Sequence, residues 1–319
     1  MSKPTIAAVV VTYNQKKLLL ENLTSLLSQN LPPDVIYIID NLSDDGTPQA
    51  LLDKNFIDEL PDTKPEEDQL LTKSISSKAD PSVEIQVNYI RKKENDGGAG
   101  GFYKGIKLAH QEGYDWIWVM DDDTIPQADT LEMFMTDVKE IGHEDIIIGS
   151  TALWQDETYH PMNFPVVSLT HKNADLNHLS RGILPVTSTS FVSLLINSTI
   201  VDDVGYPIKK FFIWNDDFEY TRRITNKYEG YFSLRSKVLH KTERKHQATE
   251  GYSWKYYYEV RNKLWLIFKL NTFSKKERSI MFYYLVKSLN QHFKNVGFHK
   301  DNLKMIGRAI FNGFFSRPK

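Results

Sequence analysis

The 319-residue chain contains no cysteine. That absence excludes a disulfide framework, a thiolate zinc site and a cysteine nucleophile, and it suits a reducing cytoplasm. Runs of about 18 apolar residues are also missing, so no segment reads as a membrane-spanning helix. The apolar stretch at residues 6–11 is short and polar residues follow at once, so it is expected to be a first strand and not a signal peptide. Internal repeats are lacking too. So is a large net charge, which stands at −2.

What is present is 41% hydrophobic and 25% charged, the profile of an ordinary globular protein. The length suits one large α/β domain or a core domain with an appendage. Tyrosine (16) and phenylalanine (17) are plentiful, which suits either an aromatic core or a flat or sugar-like ligand. The small net charge hides a split. Residues 254–319 carry 14 Lys and Arg against 3 Asp and Glu, leaving 25 against 38 for the remainder. A basic tail of that kind fits an anionic surface, and an acidic body fits a cation.

Residues 6–11 (IAAVVV) form a continuous β-branched run of the kind buried in parallel sheets. Leucines at helical spacing follow over residues 16–29, and a second buried-strand pattern covers residues 35–39. This β-α-β order starts a doubly wound sheet. Residues 60–82 are polar and punctuated by proline, and are expected to be a surface insertion without catalytic duty. Further strands are expected at residues 84–90, 116–120 and 191–196, with helices at 102–112 and 131–141. From Trp254 the pattern is helical, with amphipathic stretches at 276–293 and 303–315.

Ligands of open α/β sheets bind beyond the carboxyl ends of the strands. Four features fall there: Thr12-Tyr13-Asn14, Asp40-Asn41, the glycine turn NDGGAGG, and Asp121-Asp122-Asp123. Hard divalent cations such as Mg²⁺ and Mn²⁺ take carboxylate oxygens. In an extended segment Asp121 and Asp123 share a face while Asp122 points elsewhere. A solvated acidic turn capping a helix is the other reading. The glycine turn holds Gly98 and Gly100, but Tyr103 stands where a dinucleotide fingerprint needs its third glycine, which argues against an NAD-dependent oxidoreductase. Small residues opening a helix still suit close approach to a phosphate or sugar. In FFIWNDDFEYTRR (residues 211–223), aromatics precede Asp216, Asp217 and Glu219. A carboxylate against an aromatic wall can serve as general base, and acids at a helix start also complement its dipole. His240 alone could be a ligand or simply a polar residue ending a strand.

Taken in order, VVVTYN, IIDNLSDDGT, NDGGAGGFYKG, WVMDDDTIP, FFIWNDDFEYTRR and the later His-Lys resemble the family-2 glycosyltransferases of GT-A fold. They are most similar to the bacterial galactofuranosyltransferase branch, with rhamnosyltransferase-like relatives close, and the likeness covers residues 6–262. It implies an α/β fold with a mostly parallel sheet flanked by helices and a basic helical C-terminal extension, with the catalytic domain at 1–253 and the extension at 254–319. It also implies an inverting, metal-dependent transfer of galactofuranose from UDP-galactofuranose to a glycan or glycolipid hydroxyl. A rhamnosyltransferase using a dTDP-sugar, or a non-catalytic nucleotide-sugar binder, are the alternatives. Thr12, Tyr13, Asn14, Asp40, Asn41, Asp96, Gly97, Gly98 and Asp122 would then meet the nucleotide sugar, with Asp40 on the uracil. Asp121, Asp123 and His240 would hold Mn²⁺ or Mg²⁺. Asp217 would act as base beside Asp216, with Trp214 and Glu219 at the acceptor. Members carrying extra domains have no counterpart here for those additions, so a single-sugar transfer is expected. No role is assigned to Arg261-Asn262.

The tail alternates Lys and Arg with Tyr, Trp, Leu and Phe, the pattern of helices that lie on anionic membranes. A cytoplasmic protein at the inner membrane face is expected, a dimerisation or packing helix being the other reading. Nucleic acid is not expected, because no binding motif accompanies the charge.

Overall fold

β1 (Ile6–Thr12) is buried along its whole length. Its alternate side chains enter two different cores: Ile6, Ala8 and Val10 one, Ala7, Val9 and Val11 the other. A strand apolar on both faces requires helices on both faces, and the remaining elements supply them. The computed structural model describes residues 3–168, 176–242 and 254–318. After β1 come α1 (Lys16–Leu27), β2 (Val35–Asp40), α2 (Thr47–Asp53), β3 (Gln69–Ser76) and β4 (Glu84–Arg91). Next are α3 (Gly97–Gln111), β5 (Trp116–Asp121), β6 (Thr124–Pro126), α4 (Thr130–Ile141), β7 (Ile146–Leu153) and β8 (Val166–Val167). They lead to α5 (Leu176–Ser180), β9 (Ile183–Ser188), β10 (Leu194–Asn197), α6 (Thr199–Val204), α7 (Asp216–Thr225) and β11 (Glu229–His240). The last helices are α8 (Tyr256–Phe268), α9 (Lys275–Val296) and α10 (Lys300–Phe315).

Leucines of α1 and α2 and Phe134 of α4 cover one face of the sheet, and Phe102, Ile200 and Tyr220 from α3, α6 and α7 cover the other. The strand order is β3-β4-β2-β1-β5-β10-β7-β11-β9-β8, with β6 paired to β11. β4, β2, β1 and β5 are parallel, β10 runs antiparallel to both neighbours, and β7 and β11 are again parallel. The chain steps outward from β1 to β2 and β4, then returns to the far side of β1 at β5. That reversal opens a crevice at the carboxyl ends of β1 and β5, where such sheets bind ligands.

Three expectations change. Residues 60–82 are not merely an insertion, because they contain β3, which pairs with β4 along the sheet edge. Leu71 and Ile75 reach the core from it, while Leu70, Thr72, Ser74 and Ser76 face outward, and the mixed polar content hides the strand in the sequence. α3 begins at Gly97, a turn earlier than expected, and lies directly on β1: a Cβ at Gly105 would stand 2.2 Å from Val9 Cγ1. β10 occupies only the end of the expected 191–196 strand.

The compositional boundary at residue 253 does not separate two cores. Trp265, Leu266, Leu270 and Phe273 pack in one cluster with Ala99 and Phe211 of the α/β body. Val260, Leu264, Leu285, Ile306 and Ala309 then seat α9 and α10 on α8. We propose that α8 belongs to the catalytic unit and that the extension proper is α9 and α10. A chain ending at residue 253 is expected to lose cooperative thermal unfolding; a soluble fragment with the full-length Tm contradicts this.

Candidate active site at the carboxyl edge of the sheet

The parallel ladder sets Asp121 opposite Val11, so the triple acid starts where β1 ends. Asp122 turns back to that strand. Its N–H donates to the Val11 carbonyl at 3.2 Å, and its carboxylate accepts the Tyr13 N–H at 3.2 Å. Burial first, and then the charge of Asp123, push the Asp122 carboxyl up to about 8. Asp121 is also held well above the ordinary range by burial, and then by Asp123, Asp122, Asp216 and Asp217. Two acid pairs far apart in sequence therefore meet in one crevice.

His240 arrives by a short ladder. β6 pairs with β11 so that Thr124 lies opposite His240, and the Lys241 N–H donates to the Asp123 carbonyl at 2.8 Å. Oxygen and nitrogen atoms of Asp121, Asp123 and His240 come within 4.8 Å of one another. His240 Nδ1 lies 2.7 Å from the Asn163 side-chain oxygen, and Nε2 faces Asp123 Oδ1 at 3.3 Å. That oxygen is buried and no hydrogen bond reaches it. His160 backs the imidazole, ring to ring at 4.8 Å. Two carboxylates, an imidazole whose far nitrogen is held by Asn163, and an orphaned buried oxygen are a donor set that fits a divalent cation. Asn163 lies in a single 3-10 turn (Pro161–Asn163) capped by His160, too short to carry a sequence signal.

Asp216 and Asp217 open α7 behind a strained turn. Phe212, Trp214 and Asn215 all have φ between 64° and 67°, left-handed values that side-chain-bearing residues adopt at a cost. Two neighbours hold them there. Gly97, itself at φ 77°, lets α3 approach so closely that a Cβ would meet the Phe212 carbonyl oxygen at 2.0 Å. From α8, the buried Asn262 side chain donates to the carbonyls of Phe211, Ile213 and Trp214 at 3.0, 2.9 and 3.0 Å. Arg261 adds bonds to the Lys210 and Phe211 carbonyls, and Asn215 donates to Glu259 at 3.0 Å. The Arg261-Asn262 pair, left without a role by the sequence, is thus the clamp on the turn. Burial and then Asp217 raise the Asp216 carboxyl to about 7. Asp217 is also raised by burial, but its carboxylate accepts the Phe218 N–H at 2.7 Å, and it is the more exposed of the two.

The loops after β1 and β2 assemble the side of the crevice expected to meet the nucleotide sugar. Asn14, left-handed at φ 56°, exchanges hydrogen bonds with Asp44, and its N–H donates to Ser43. Thr12 is buried at the strand end and Tyr13 is exposed beside it. Asn41 bridges Lys92 and the Gly97 carbonyl, and Lys92 pairs with Asp96. Gly98 borders open space. Asp40 differs from expectation: its carboxylate has no exposed surface, accepting from Tyr89, Arg91 and the Ser43 N–H. The same Arg91 donates to the carbonyls of Ser43, Asp62 and Thr63. Glu219, expected at the acceptor, is instead 1% exposed and saturated by Arg223 and Thr272. Helical spacing accounts for it, since Arg223 stands four residues on, on the same side of α7. Trp214 is half-buried in the strained turn.

The family model described as Glycosyl transferase family 2 matches residues 7–57 and 72–195. The galactofuranosyltransferase GlfT1 of Mycolicibacterium smegmatis is 27% identical over 227 residues, which cover 69% of this chain and 65% of that protein. GlfT1 of Mycobacterium tuberculosis is 24% identical over 225 residues, covering 69% and 64%. The chain spans just under two thirds of these relatives' own length. Among solved structures, S. aureus TarS 1–349 in complex with UDP-GlcNAc aligns with TM-score 0.58 at 13% identity, over 97% of this chain and 80% of that one. TarS 1–349 in complex with UDP gives 0.53 at 14%, over 94% and 74%. These likenesses bear on the fold, which is the GT-A arrangement.

Asp216 and Asp122 have carboxyls raised from 3.8 to about 7 and about 8, so the folded chain binds more protons than the unfolded chain. The stability they contribute is full below about pH 4 and is lost as pH rises through 7 and 8. In EDTA, Tm is expected to fall from pH 5 to pH 8, and Mn²⁺ to raise it more at pH 8 than at pH 5. A metal-free Tm that is flat or rising over this window contradicts the crowding. Separately, Asn262→Ala removes three hydrogen bonds to the turn, leaving the Ile213 and Trp214 carbonyls without that donor, and is expected to cost about 1–3 kcal/mol in denaturant unfolding; unchanged stability contradicts the clamp.

Proposed function

The chain belongs to glycosyl transferase family 2, and on that premise we propose that it moves a sugar from a nucleoside diphosphate to an acceptor hydroxyl with inversion at the anomeric carbon. The observation that carries this reading is the meeting of Asp121, Asp123 and His240 with Asp216 and Asp217 across one crevice. UDP-galactofuranose is the donor we infer. Two relatives named as galactofuranosyltransferases support the sugar, and fold neighbours crystallised with UDP and UDP-GlcNAc support the nucleotide.

Asp121, Asp123 and His240 would hold Mn²⁺ or Mg²⁺, which when bound neutralises charge growing on the departing diphosphate. Asp217 takes the proton of the acceptor hydroxyl. That oxygen bonds to the anomeric carbon as the bond to the diphosphate breaks on the opposite face, and a nucleoside diphosphate leaves. Exposure and backbone N–H donors suit Asp217 to this work, while Asp216, buried and near neutrality in its pKa, positions the acceptor. Thr12, Tyr13, Asn14, Asn41, Asp96, Gly97 and Gly98 border the donor. Asp40 serves the nucleotide through Arg91 and Ser43, by holding the loop on which the base rests.

We place the acceptor on a lipid-linked glycan at an anionic membrane face. Among the described residues no helix is long and apolar enough to cross a membrane. α9 and α10 nevertheless expose Phe282, Tyr283, Tyr284, Phe311 and Phe315 in the segment richest in Lys and Arg. Such faces adsorb to anionic bilayers at about 1 kcal/mol per near-surface cation.

A panel of nucleotide sugars with Mn²⁺, read as released nucleotide, is expected to select UDP-galactofuranose. Asp217→Asn is expected to lower turnover by about 10²–10⁴-fold while UDP still binds. Full turnover by Asp217→Asn, or full activity in EDTA, contradicts the assignment.

A further inference from the structure

A second pocket lies between α8 and α10, away from the acid cluster and with the opposite charge. Its volume is about 430 Å³, and Trp254, Tyr257, Tyr258, Arg261, Lys304 and Arg308 line it. Asp301 is the single acid on its wall, against three cations. Among the described residues no carboxylate pairs with Arg261, Lys304 or Arg308. The Arg261 guanidinium stands over the rings of Tyr258 at 4.7 Å, Tyr257 at 5.5 Å and Trp265 at 4.1 Å, and its hydrogen bonds go to neutral oxygens. A half-buried, unneutralised cation beside two more on α10 is a site that lacks its anion.

The pocket is joined to the reaction centre by a ring stack. Tyr258 stacks on Phe212 at 4.7 Å and 15°, and Trp254 meets Phe212 edge-on at 6.2 Å. Phe212 belongs to the strained turn that leads into Asp216-Asp217. Aromatic faces pack against the C–H faces of sugars, and paired cations recognise phosphate oxygens. We propose that this pocket binds the phosphate or diphosphate end of a phosphate-bearing glycan acceptor, so that the acceptor hydroxyl is delivered past Phe212 to Asp217. The proposal rests on the transferase reading above and adds the chemistry of its second substrate. It also separates the two ends of the reaction electrostatically: the acid cluster repels a bare diphosphate, and the basic pocket attracts it.

Binding of an octyl glycosyl diphosphate, and of the octyl glycoside without the diphosphate, would be measured by calorimetry on the full chain in EDTA, where no metal bridges a diphosphate to the acid cluster. Wild-type protein is expected to prefer the diphosphate by at least about tenfold, and Lys304→Ala/Arg308→Ala to reduce that preference below about threefold. UDP-sugar hydrolysis by the double variant should remain at the wild-type level. Equal affinity for both compounds, or a preference that survives the double variant, overturns the proposal. Displacement of the soluble diphosphate by phosphatidylglycerol vesicles assigns the pocket to bilayer headgroups and also overturns it. Absence of hydrolysis by wild-type protein with any UDP-sugar fails the transferase reading itself, whichever way the binding data fall.

Discussion

Carboxylates that repel one another are gathered where β5 meets α7. Asp121 feels Asp123, Asp122, Asp216 and Asp217, and burial raises the cost of every charge among them. Backbone N–H groups of Tyr13 and Phe218 offset part of the repulsion, and held protons offset more. On the proposed reading, a divalent cation held by Asp121, Asp123 and His240 would relieve it better, leaving Asp217 free to ionise. The rest of the fold keeps these charges together: the β1–β5 ladder fixes the first pair, the β6–β11 ladder delivers His240, and the turn before α7 brings in the second pair.

Like charges and left-handed backbone both favour letting go, so the turn needs restraint. Asn262 gives it from one side and the close approach at Gly97 from the other. The restraint comes from α8, a helix that composition assigns to the basic extension. The face of α8 near Phe212 therefore serves two ends at once. It fixes the turn before Asp216-Asp217 and, through Tyr258 and Trp254 on Phe212, joins that turn to the cationic pocket. On the proposed reading, acceptor capture and base positioning would be mechanically linked through α8.

Much of this was legible in the sequence because it rests on local patterns. The β-branched run of β1, the leucine spacing of α1 and the acids closing β5 each announce an element end at the ligand edge. What escaped depends on contacts between distant segments. β6 has three residues, too few for a periodic signal, yet it decides where His240 sits. β3 (QLLTKSIS) breaks the polar–apolar alternation, with adjacent leucines and a lysine on its inner face, and reads as loop. Arg91, which seals Asp40 from solvent, looks like any charged residue ending a strand. Glu219 lies in a run of acids but is turned away by its partner one helical turn on, a pairing visible in the spacing and outweighed by the motif.

The cation site is the premise on which the chemistry stands, and pulsed electron paramagnetic resonance of Mn²⁺ bound with UDP probes it atom by atom. One imidazole nitrogen coupled to the ion is the expected spectrum, with the coupling lost in His240→Gln while the protein stays folded. A bound Mn²⁺ without nitrogen coupling, or a coupling that survives His240→Gln, would contradict the site.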